Sequence, residues 1–118
     1  MDVTLEEVRS GLEREDVVVL DVRSLREYTG EAVAPCDPRP GRIPGARHLD
    51  ISELMTLTAE EIAERLGPPG AQIVTYCHSG QRSELAAEIL RAAGYDAANY
   101  RGSWHEWSRD TSLPAETG

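Results

Sequence analysis

The sequence predicts an α/β domain built on a mostly parallel sheet, and three observations carry that prediction. Short apolar runs alternate with amphipathic stretches along the chain. Two of the runs, Val17-Val18-Val19-Leu20 and Ile73-Val74-Thr75-Tyr76, are continuous, the pattern of strands buried on both faces. Helix start signals, a Ser or Thr followed at the capping-box spacing by a Glu, punctuate the intervals. At 118 residues the chain is one domain with one core, residues 1–118.

The elements follow in order. Thr4 with Glu7 makes a capping box for a helix from Leu5 to about Arg14. Val17 to Leu20 is a central strand that ends in Asp21-Val22-Arg23. Ser24 with Glu27 opens a short helix through Tyr28. Residues 29–47 carry Pro35, Pro38, Pro40, Gly41, Pro44 and Gly45 and read as a long loop, a kind of segment usually either functional or mobile. His48-Leu49 reads as a very short strand and Ser52 to Met55 as a helical turn. Thr58 with Glu61 opens a helix to Leu66 that Gly67-Pro68-Pro69-Gly70 ends. After the Ile73 to Tyr76 strand, Cys77 to Arg82 lacks apolar periodicity and reads as a loop. Ser83 to Ala93 is a helix with Leu85, Ala86, Ile89, Leu90 and Ala93 on one face and Gly94 at its stop. Ala97 to Tyr100 is a weaker strand, and Gly102-Ser103 leads into a short helix carrying Trp104 and Trp107. Residues 111–118 are expected to fray.

Composition narrows the function classes. Asp plus Glu number 21 against 12 Lys plus Arg, a net charge of −9. Such a chain is poorly suited to nucleic-acid phosphates or to anionic membrane surfaces. Mean hydropathy is −0.43, and no run approaches the ~20 apolar residues of a membrane span. The first residues lack a basic segment followed by an apolar one, so no secretory signal is read and a reducing cytoplasm is the expected compartment. The two cysteines, Cys36 and Cys77, are too few for a disulfide framework and lie in no CxxC or CxxH pattern.

The chemistry concentrates in Tyr76-Cys77-His78-Ser79-Gly80-Gln81-Arg82-Ser83. A cysteine stands at the C-terminal end of an apolar strand, where open α/β sheets bind their ligands. The turn through Gly80 can aim several backbone N–H groups inward as an anion nest. The following helix adds unpaired N–H groups and the positive end of its dipole, and Arg82 adds a full charge. Each favours an anion at the sulfur, so Cys77 is expected to have a depressed pKa and to act as a nucleophile.

With these residues in view the sequence resembles a rhodanese domain, the fold of thiosulfate and 3-mercaptopyruvate sulfurtransferases. Three segments carry the likeness: Leu20-Asp21-Val22-Arg23 with Glu27-Tyr28-Thr29-Gly30; Gly41-Arg42-Ile43-Pro44-Gly45-Ala46; and the Cys77 loop. The ending Gly102-Ser103-Trp104-His105-Glu106-Trp107 is similar to that of the catalytic C-terminal half of tandem-domain members. The resemblance implies a three-layer fold, a mostly parallel five-stranded sheet with helices on both faces.

It also implies a double displacement. Cys77 would take the outer sulfur of thiosulfate or a related donor, and a thiol, cyanide or protein acceptor would then remove it. The alternative is a carrier module relaying sulfur between a cysteine desulfurase and a protein partner, through the same Cys77. No metal or organic cofactor is implied. His78, Ser79, Gly80, Gln81 and Ser83 are the loop positions that would surround the donor. Arg23 would lie at the mouth and bind an anionic donor, or pair with a carboxylate such as Glu27. Arg82 would bind the donor or face a carboxylate on its own helix. Phosphatases of this fold use Cys-x5-Arg, whereas Cys77 to Arg82 is one residue shorter, about 3.5 Å of backbone reach, which favours a sulfur-sized nest. Cys36 is either a resolving thiol for Cys77 or a bystander.

Overall fold

The computed structural model describes residues 2–118. It orders the elements as β1 (Asp2–Val3), α1 (Leu5–Gly11), β2 (Val17–Asp21), α2 (Leu25–Thr29), β3 (Arg47–His48), α3 (Ile51–Leu54), α4 (Ala59–Leu66), β4 (Gln72–Tyr76), α5 (Gln81–Ala92), β5 (Asp96–Tyr100) and α6 (Ser103–Trp107). The five strands form one sheet in the order β1-β5-β4-β2-β3, and every pairing is parallel. The three capping boxes read from sequence are all made, at Thr4, Ser24 and Thr58.

Two apolar layers flank the sheet because strand side chains alternate between its faces. Leu20, Ile73 and Ala97 face the layer built with Leu54, Ile62, Ala86 and Leu90 of α3, α4 and α5. Val19, Val74, Tyr76 and Tyr100 face the other layer, with Val8 of α1 and Trp104 and Trp107 of α6. The arrangement is the three-layer fold with helices on both faces. Among the described residues no helix is long and apolar enough to cross a membrane.

Three expectations are corrected and one element is added. Asp2–Val3 forms a strand, β1, that pairs with Asn99 and Tyr100 at the sheet edge and is too short for a periodicity. Helix α1 stops at Gly11, where the chain packs against Val17 and turns into β2; a Cβ at Gly11 would lie 3.2 Å from Val17 Cγ1. Leu85 is 40% exposed, because the buried stripe of α5 runs through Ser83, Ala86, Ala87 and Leu90. Residues 111–118 do not fray: Leu113 is buried, Pro114 O accepts from the Trp107 indole, and Arg42 pairs with Glu116 in an antiparallel bridge. Burial of Leu113 and these bonds hold a segment that has no internal structure of its own.

Candidate active site

Strand β4 lies between β2 and β5 and delivers Cys77 to the C-terminal edge of the sheet. The Cys77 backbone is fixed from α6. Its N–H donates to Ser103 Oγ at 3.1 Å, and its carbonyl accepts from Trp104 N at 2.9 Å. Ser103 is the one described non-glycine residue with positive φ, 54°, a conformation that costs on the order of 1 kcal/mol or more. Its hydroxyl donates to Tyr100 O at 2.8 Å, so this turn is held from both sides. Sequence reading did not assign Ser103 this task; only the Gly102-Ser103-Trp104 likeness pointed to the segment.

The thiol sits in a ring of donors. Gly80 N–H donates to Cys77 Sγ at 3.1 Å, and the Ser83 hydroxyl donates to the same sulfur at 3.4 Å. Burial is the largest influence on this thiol and raises its pKa. The Ser83 hydroxyl and the N–H groups of Ser83, Gly80 and Ser79 oppose it, and together they bring the pKa below the ordinary cysteine value. The nest depends on Gly80, whose φ is +94°, and a Cβ there would meet Arg101 O at 2.5 Å. The loop is shorter than the Cys77 to Arg82 span read from sequence. Gly80 in the left-handed conformation caps α5, so Gln81 and Arg82 already lie in its first turn. The sulfur therefore faces the N-terminal end of a 12-residue helix. Thr75 Oγ1 donates to Ser83 O at 2.8 Å, and Asn99 Nδ2 to Gly80 O at 3.1 Å, tying the nest to β4 and β5.

The flanking residues divide. Arg82 pairs with Glu27 at 3.1 Å, a carboxylate on α2 and not on its own helix, and remains partly exposed. Burial is the largest single influence on its guanidinium and lowers the pKa, but Glu27 and charge on Cys77 together outweigh it and raise the pKa above the ordinary arginine value. His78 is directed away toward Asp37, 3.0 Å from its carboxylate. Ser79 and Gln81 expose their side chains. Ser83 is fully buried against the sulfur.

Arg23 is not at the mouth. It is 3% exposed and holds Asp21 with Nε and Nη2 at 3.0 and 2.7 Å, while Nη2 also donates to Gly41 O at 2.6 Å. Its guanidinium lies 5.5 Å from the centre of the Tyr76 ring and 5.3 Å from that of Trp104. Tyr76 donates to the same Asp21 carboxylate at 2.7 Å and accepts from Ile43 N–H at 3.1 Å. Asp21 follows β2's apolar run and must be compensated once buried, and Arg23 is the nearest cation in the chain. The pair pins the Gly41–Ile43 segment to the sheet, the second of the two roles expected for Arg23, with Asp21 as the carboxylate. Trp104 and Trp107 are fully buried in the core. Cys36 and Cys77 are both free thiols.

A family model described as the Rhodanese-like domain matches residues 4–110. Thiosulfate sulfurtransferase of Azotobacter vinelandii is 35% identical over 111 residues, covering 86% of this chain and 40% of that protein. Its counterpart in Pseudomonas aeruginosa is 31% identical over 123 residues, covering 96% and 45%. Among solved structures, a probable thiosulfate sulfurtransferase superposes with a TM-score of 0.83 at 41% identity, covering 98% of this chain and 47% of that one. The anaerobic ergothioneine biosynthesis enzyme of Chlorobium limicola, bound to trimethyl histidine, superposes at 0.86 with 28% identity, covering 99% and 32%. The chain thus spans less than half the length of these relatives. A Rhodanese-like match across nearly the whole chain, on an all-parallel five-stranded sheet that ends in a cradled cysteine, places it in the Rhodanese-like domain family.

Proposed function

We propose that this chain moves sulfane sulfur from a small anionic donor of the thiosulfate class to a thiol, cyanide or protein acceptor through a persulfide on Cys77. The Cys77 thiolate attacks the outer sulfur of thiosulfate. A new S–S bond forms, the donor's S–S bond breaks, and its electron pair leaves with sulfite. An acceptor thiolate or cyanide then attacks the terminal sulfur and returns Cys77 as thiolate. Charge is conserved in both steps, and no external oxidant or reductant enters. The observation that carries this reading is the donor ring around Sγ, with Gly80 N–H at 3.1 Å and Ser83 Oγ at 3.4 Å. Preorganised donors of this kind stabilise an anion without reorganising during the reaction. The partly exposed Arg82, paired with Glu27, is close enough to feel charge on Cys77 and would favour an anionic donor there.

The test is intact mass after incubation with thiosulfate, and again after cyanide, beside a Cys77→Ser control. The proposal expects a gain of one sulfur atom that cyanide removes and that the control lacks. A gain with a protein persulfide donor but none with thiosulfate would reassign the chain to sulfur relay. No gain with either donor overturns the reading.

A further inference from the structure

Beside the Cys77 loop the fold gathers four metal-ligating side chains from three separate segments. Cys36 and Asp37 come from the proline-rich loop, His78 follows the nucleophile, and His105 lies on α6. One ligand atom from each falls within 4.8 Å of all the others. His78 Nε2 is 3.6 Å from Cys36 Sγ and 3.0 Å from Asp37 Oδ2, and His105 Nδ1 is 3.5 Å from Asp37 Oδ1. Tetrahedral zinc bonds of ordinary length place neighbouring ligand atoms about 3.4–3.6 Å apart. The Cys36–His78 and His105–Asp37 separations stand at those values, His78–Asp37 is shorter, and the remaining pairs lie within 4.8 Å, so small side-chain shifts would close the set around an ion.

We propose that Cys36, Asp37, His78 and His105 form a binding site for a borderline-soft divalent transition metal of the Zn2+ class. A thiolate, two imidazoles and a carboxylate suit Zn2+ and Co2+ and disfavour Mg2+ and Ca2+, which take oxygen ligands. A Cys thiolate and an Asp carboxylate together neutralise the ion's two charges. The site is stiff. Pro35 and Pro38 bracket the two loop ligands, and Arg39 fastens the loop to the carbonyls of Trp107, Ser108, Asp110 and Leu113 at 2.9–3.2 Å. The Asp37 side chain is 1% exposed, a buried carboxylate aimed into the cluster. When no ion is bound, Arg109 compensates it at 3.3 Å. The same guanidinium nitrogen lies 3.3 Å from His105 Nδ1, so an ion would displace Arg109 from that ring nitrogen as well as from the carboxylate. Arg109 also donates to the carbonyls of Cys36 and His105, so it can brace the loop from outside once an ion takes over the carboxylate. Cys36 and His105 remain exposed, which leaves a path for the ion. A bound ion would clamp His78, and with it the Cys77 loop, to the proline-rich loop and α6.

The site stands whether or not Cys77 transfers sulfur, and cobalt spectroscopy separates the two. The chelator-treated full chain is titrated with Co2+ alone, in parallel with Cys77→Ser, Cys36→Ser, His78→Ala and His105→Ala. The proposal expects one Co2+ per chain, with tetrahedral ligand-field bands and a thiolate-to-cobalt charge-transfer band, in both the unmodified chain and Cys77→Ser. Cys36→Ser should lose the charge-transfer band, and each histidine variant should bind at least about tenfold more weakly. Zn2+ should bleach the spectrum, and should raise the thermal midpoint of the unmodified chain but not of Cys36→Ser. Because Cys36 is exposed, its replacement leaves the fold intact, checked by circular dichroism. No tetrahedral spectrum overturns the proposal. So does a band that survives in Cys36→Ser and vanishes in Cys77→Ser, which would put the ion on the candidate nucleophile.

Discussion

Replacing Ser83 with alanine should lower the reactivity of Cys77 about tenfold on the acid side of its titration. The Ser83 hydroxyl is fully buried and lies 3.4 Å from Sγ. A hydrogen bond to a charged group contributes roughly 1.5–3 kcal/mol, and the length of this one argues for the lower end, about 1.5 kcal/mol. At about 1.4 kcal/mol per factor of ten, that is close to a tenfold loss of thiolate where the thiol is mostly protonated. Alanine keeps the backbone N–H of residue 83, and Gly80 N–H stays 3.1 Å from the sulfur, so the rest of the nest survives. The Thr75 bond to Ser83 O uses the main chain and also survives. The assay is the second-order rate of iodoacetamide alkylation as a function of pH, with sulfur loading from thiosulfate alongside. The expected profile is shifted to higher pH with its alkaline plateau kept. An acid limb that changes less than about twofold would refute the claim that the hydroxyl stabilises the thiolate, since even a weak charged hydrogen bond exceeds that.

Three further outcomes follow from the same physics. Asp21→Asn leaves Arg23 buried without its carboxylate and should destabilise the protein by about 3–5 kcal/mol in urea unfolding; a loss under about 1 kcal/mol would show the pair does not organise this region. Leu113→Ala should cost about 2–3 kcal/mol of stability, whereas a frayed tail would cost almost nothing. Glu27 is half-buried; burial raises its pKa, but Arg82 and Ser24 outweigh that and depress it. A depressed carboxylate contributes stability that is fully present above its unfolded value, near about pH 4.3, and is lost as pH falls through the folded value. Glu27→Gln should therefore be less stable than the unmodified chain at neutral pH, by roughly 1 kcal/mol at most given Arg82's exposure, and the gap should close in acid. A gap that widens as pH falls would mean the carboxylate is stabilised when protonated.

Much of the site was legible because its core is local in the chain. Cys77, Gly80, Arg82 and Ser83 sit within one strand-loop-helix passage; Gly80 and Ser83 donate to the Cys77 sulfur, and charge on it reaches Arg82. What the local pattern could not place was the destination of side chains that reach across the fold. Arg23 follows a strand end, as an anion-binding residue would, yet Asp21 two residues earlier takes its charge inside the protein. Ser103 lies 26 residues from the Cys77 N–H it accepts, a separation no spacing rule spans. The proposed metal ligands are likewise spread over positions 36, 37, 78 and 105, so no short cysteine-histidine motif announces them.

The sequence by itself determined the alternation of strands and helices, the three capped helix starts and the cysteine at a strand end beside an anion nest. Each is a signal carried within a few residues: backbone capping bonds, side-chain periodicity, a glycine where positive φ is needed. Tertiary structure alone decided that Asp2–Val3 joins the sheet, that Arg23 is a buried brace, that the C-terminal segment is docked and that Cys36 meets His78. Those outcomes rest on pairing buried charges and backbone groups with partners distant in sequence, and the partner is fixed only when the sheet and its two layers are assembled.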